Sequence, residues 1–60
     1  MSKQLNLKQG YYVRYDSIFY TLYNKEDKIK KMTANVFSLI EYTKGVVNLT
    51  KKDIKLIKEM

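Results

Sequence analysis

Tyr11-Tyr12-Val13-Arg14-Tyr15-Asp16-Ser17-Ile18-Phe19-Tyr20-Thr21-Leu22-Tyr23 is built mostly of aromatic and β-branched residues. Such side chains pack well on a pleated surface and crowd a helix, so the stretch predicts β-structure. Asp16-Ser17 in its middle marks a tight turn, and two antiparallel strands follow. Period-two spacing puts Tyr11, Val13 and Tyr15 on one face of the first strand, with Tyr12 and Arg14 on the other. In the second run Ile18, Tyr20 and Leu22 oppose Phe19, Thr21 and Tyr23.

Upstream, residues 1–9 read as a flexible arm, polar after Met1 except for Leu5 and Leu7, whose alternation suits strand extension or docking on the body. Downstream, Asn24-Lys25-Glu26-Asp27 is a polar turn cluster. Lys28 to Met32 then predicts a short third strand whose lysines suit an exposed edge. The period changes after Thr33. Val36, Phe37, Leu39 and Ile40 gather on one helical face up to Lys44, with Thr33 or Asn35 as cap and Gly45 as a left-handed terminator. Thr50 with Asp53 three residues on forms an acidic capping box, and Leu49 with Ile54 has the spacing of a hydrophobic staple. In that last helix Ile54, Leu56, Ile57 and Met60 lie to one side and Lys51, Lys52, Lys55 and Lys58 to the other. The expected architecture is α+β: a small antiparallel hairpin or three-stranded meander followed by two short helices, with residues 10–60 as one domain.

A chain of 60 residues removes only about 60% of its unfolded surface from water on folding. Without cysteine or histidine neither a disulfide nor an ordinary zinc site closes it, so homodimerisation is an expected remedy. No apolar run approaches the roughly 20 residues of a membrane-spanning helix, and the first residues lack a secretory pattern. A cytoplasmic location is expected.

The same two absences remove the commonest general base and the strongest nucleophile. Glu26 and Asp27 lie in a turn, and Gly10 and Gly45 do not make a phosphate-binding loop. No catalytic, cofactor or metal site is expected. The twelve Lys and Arg against six Asp and Glu give a net charge of +6, and Arg14 is the sole arginine. That charge favours polyanions by long-range attraction, with lysines suited to phosphate rather than to reading base edges.

From residue 28 to 60 a short basic strand, a helix, a glycine-bearing turn and a capped helix resemble the order of the ribbon–helix–helix regulators. The resemblance implies a dimer with paired strands in the major groove, with Lys28, Lys30 and Met32 outward and Ile29 and Lys31 inward. It covers about half of the chain, and the aromatic hairpin before it is foreign to that family.

Two functions follow as expectations. The first is a small non-enzymatic regulatory or accessory protein that binds nucleic acid through Arg14, Lys28, Lys30, Lys51, Lys52, Lys55 and Lys58. The second is a protein-interaction module, such as a phage- or plasmid-type inhibitor of a host protein, using the outward rings Tyr12 and Tyr23. Rings beside cations suit stacked bases and protein hot spots alike.

Overall fold

The computed structural model describes residues 3–60. It contains strands β1 (Lys3–Asn6), β2 (Tyr12–Tyr15), β3 (Tyr20–Tyr23) and β4 (Ile29–Thr33), followed by helices α1 (Val36–Lys44) and α2 (Lys51–Lys58). The strands form one antiparallel sheet in the order β1-β2-β3-β4. A small α+β fold is therefore observed, with four strands where three were expected. The additional strand comes from the segment read as an arm. Leu5 pairs with Val13 across β1 and β2, and Leu5 and Leu7 pack against the core, so burial of two leucines ties that segment down. Met1 and Ser2, the start of the expected arm, lie outside the described residues.

Both helices cover one face of the sheet. Val13 and Leu22, directly opposite on β2 and β3, meet Leu39 and Ile40 of α1 and Ile57 of α2 in a single core. Tyr11 and Tyr20 flank this core as half-buried residues, as their period-two spacing predicts. Tyr15 and Tyr20 stack at the end of the same face, with ring centroids 4.2 Å apart.

Asp16-Ser17 is not a two-residue turn. The chain spans a wider loop in which Asp16 Oδ1 accepts hydrogen bonds from the amides of Ile18 (2.9 Å) and Phe19 (2.7 Å), and Ser17 takes a φ of 79°. Two-residue hairpin turns need positive φ at the first central residue or at both, which glycine and asparagine meet most easily. Asp16 instead organises a loop with one such residue, so Ile18 and Phe19 leave the strand and β3 begins at Tyr20. At the other end, Asn24 Oδ1 accepts from the amides of Glu26 and Lys28, which fixes the expected polar turn before β4.

Asn35 caps α1 by accepting from the amides of Phe37 and Ser38. Gly45 is right-handed, with φ −79°, not left-handed as expected. The chain leaves α1 by a further turn in which the Val46 and Val47 amides donate to Thr43 O. The capping box of α2 is present in full: Thr50 Oγ1 accepts from the Asp53 amide, and Asp53 Oδ2 accepts from the Thr50 amide, both at 3.1 Å. Leu49 and Ile54 on either side of it both pack on the core.

Candidate binding face on the sheet

With the helices on one side, alternation along each strand delivers a second set of side chains to the uncovered side. The register arranges them in two rows. One row runs Asn6, Tyr12, Tyr23 and Ile29, and the other Gln4, Arg14, Thr21 and Met32. Ile29 joins its row through a bulge. Leu22 pairs with Lys31 while Tyr23 pairs with Ile29, which leaves Lys30 as the extra residue of β4. Such an insertion shifts the facing of one strand relative to its neighbour.

Tyr12 and Tyr23 stand side by side on this face with ring centroids 4.8 Å apart and planes 11° from parallel. The Tyr12 hydroxyl donates to Asp27 Oδ1 at 2.7 Å. That hydrogen bond, with burial and the carboxylate's charge behind it, holds the hydroxyl above its ordinary pKa. Phe19, 41% exposed, extends the face beyond β3, and Ile29 and Met32 are 55% and 51% exposed. Thr21 lies beneath these larger side chains and is only 8% exposed. Above it opens a recess of about 220 Å³ lined by Arg14, Asp16, Phe19, Thr21 and Tyr23. Asp16 remains ionised to lower pH than usual because the Phe19 and Ile18 amides donate to its carboxylate.

The structure thus unites Arg14 with Tyr12 and Tyr23 but separates the other basic residues singled out by sequence. Lys51, Lys52, Lys55 and Lys58 are exposed on α2, in the layer behind the sheet. Helix α1 intervenes between them and β4. Lys58 Nζ lies 5.5 Å from the centre of the Phe37 ring, and Lys31 Nζ lies 5.8 Å from that of Tyr42. Five positions along a helix turn through about 140°, so these two rings mark opposite flanks of α1. Lys28 and Lys30 lie at the exposed start of β4 and in its bulge.

The ribbon expected from residues 28–60 also differs. Strand β4 pairs with β3 of the same chain and Ile29 faces out beside Tyr23 rather than inward, while Lys31, opposite Leu22 and toward Tyr42 of α1, lies on the helix-covered side as the resemblance implies. Among the described residues no group of three or more His, Cys, Asp or Glu is placed to hold a metal ion. No helix among them is long and apolar enough to cross a membrane.

Phe19 and Ile29 were missed as site residues, and Met32 was placed outward only through the ribbon resemblance. Parity alone places Phe19 with Thr21 and Tyr23, whereas the positions of Ile29 and Met32 depend on the bulge and on pairing across β3. Compared with protein-family models, curated proteins and solved structures, the chain matches none of them.

Proposed function

We propose that the chain is a non-enzymatic binding module whose uncovered sheet face takes a protein partner. The observation that carries this reading is the make-up of that face: Tyr12, Tyr23, Phe19, Ile29 and Met32 surround a lone arginine, Arg14. Aromatic residues, methionine and arginine are enriched in protein interfaces, and lysine is depleted. A contiguous apolar patch on a small monomer is a mark of such a site. Arg14 is the only cation in the two rows of this face, and the exposed lysines of α2 lie in the layer behind it. A nucleic-acid surface has the opposite bias. A cytoplasmic setting belongs to this reading and is supported by the cysteine-free sequence.

Nucleic-acid binding is the second reading, favoured by the exposed lysine face of α2. The two are separated by capture from the native host with and without nuclease, using the unchanged chain and a Met32→Glu variant. A nuclease-resistant, stoichiometric protein lost from the variant supports the sheet face. Captured material that vanishes with nuclease and ignores Met32→Glu supports the α2 lysines. Homodimerisation through the same face would show itself as a melting temperature that rises with protein concentration.

A further inference from the structure

Arg14 occupies the middle of the uncovered face, and its neighbours across the sheet, Gln4 on β1 and Thr21 on β3, are both uncharged. Among the described residues the only ion pair is Lys44 with Glu41, on α1. The guanidinium therefore makes no ion pair, on a face whose two rows otherwise hold only uncharged side chains. Beside it the recess of about 220 Å³ has Phe19 and Tyr23 as walls and Thr21 among its lining residues. Asp16 also lines it, with Oδ1 engaged by the Ile18 and Phe19 amides at 2.9 and 2.7 Å, and makes no ion pair with Arg14.

We propose that this recess takes a glutamate or aspartate side chain of the protein partner, with the carboxylate on the Arg14 fork and its aliphatic stem between Phe19 and Tyr23. The inference rests on the reading of the sheet face as protein-binding and adds the chemistry of what enters it. Charge complementarity decides the occupant. A planar guanidinium presents paired donors that match the two oxygens of a carboxylate. Phe19 and Tyr23 beside the fork give the aliphatic stem of the incoming side chain an apolar surface to lie against. The volume holds one side chain rather than a length of backbone, and the net charge of +6 steers an acidic segment toward the molecule.

The test is a nuclear magnetic resonance titration of the isotopically labelled full chain with two blocked peptides, acetyl-Ala-Glu-Ala-amide and acetyl-Ala-Gln-Ala-amide, and with inorganic phosphate. The glutamate peptide is expected to move the Arg14 Nε–H signal and the amides of Phe19, Thr21 and Tyr23. The glutamine peptide and phosphate should move them several-fold less. Arg14→Gln should abolish the response, and Arg14→Lys, which keeps the charge and loses the fork, should weaken it. Because Arg14 is exposed, both variants should retain the amide dispersion of the folded chain. Equal responses to the two peptides, a response that survives Arg14→Gln, or a stronger response to phosphate would each overturn the proposal. So would glutamate-peptide shifts confined to the lysines of α2. A protein captured through Met32 that ignores Arg14→Gln would leave the sheet face standing as the docking surface and remove only the carboxylate.

Discussion

Tyr12 and Tyr23, on neighbouring strands, form a stacked pair whose outer edge is anchored by the hydrogen bond from the Tyr12 hydroxyl to Asp27 in the β3–β4 turn. The pair is thus set before any partner arrives. Aromatic anchors that need no reordering lose little conformational entropy on binding. Replacing Tyr23 with alanine should therefore weaken partner binding by about 2 kcal/mol or more if it acts as a hot spot, checked by titration calorimetry against the captured partner.

The same hydroxyl shapes the response to pH. Tyr12 is raised chiefly by its bond to Asp27, and Tyr20 chiefly by burial. A group whose folded pKa lies above its unfolded value of 10.0 contributes stability that is complete below that value and is lost as pH rises through the folded one. Asp16 has the opposite sign: lowered from 3.8 by the Phe19 and Ile18 amides, it contributes above that pH and loses its contribution as pH falls through its folded value. The chain has no histidine, so the melting temperature should be nearly level from about pH 5 to 9 and fall at both ends. Asp16→Asn should flatten the acid limb, and Tyr12→Phe the alkaline one. Unchanged limbs in these variants would refute the assignment.

Gly10 has a φ of 79°, and a β-carbon there would stand 2.5 Å from Lys25 Cβ. The β1–β2 connection and the β3–β4 turn meet at this point. Gly10→Ala combines left-handed strain with a steric clash and should destabilise by about 1–3 kcal/mol, measured by urea unfolding. A change within about 0.5 kcal/mol, the range of ordinary surface substitutions, would show that the two turns are not pressed together.

Thr50→Ala removes the hydroxyl that accepts from the Asp53 amide. The expected cost is about 1 kcal/mol, and Thr50→Ser should recover most of it. Since Ile57 of α2 belongs to the central core, loss of the cap should lower the melting point of the sheet together with that of the helix. Separate transitions for the two would contradict a single cooperative unit.

The lysine face of α2 has its own control. Changing Lys51, Lys55 and Lys58 to glutamine should leave folding within about 0.5 kcal/mol and leave partner capture through the sheet intact. If the nucleic-acid reading holds instead, affinity for duplex DNA should drop, with the salt slope flattening by roughly 0.9 per lost phosphate contact.

Much of this architecture is local and was therefore legible. Alternation alone separates Val13 and Leu22 from Tyr12, Arg14, Thr21 and Tyr23, because strand periodicity does not depend on the rest of the chain. Thr50 and Asp53 are likewise three residues apart and cap their own helix. What could not be read depends on long-range pairing. Leu5 finds Val13 only once β2 is in the sheet. The bulge that brings Ile29 to Tyr23 arises from the register of β4 on β3. The separation of the α2 lysines from Lys28 and Lys30 follows from where α1 packs, a tertiary fact that no helical wheel contains.

The central claim, that the uncovered sheet face is the working surface, is tested most directly by placing a photoactivated cross-linking amino acid at Tyr23 and, separately, at Lys55 in the native host. The account predicts that position 23 forms a nuclease-resistant adduct with one protein and that position 55 does not. An adduct at position 55 that nuclease removes, with nothing joined at position 23, would contradict it.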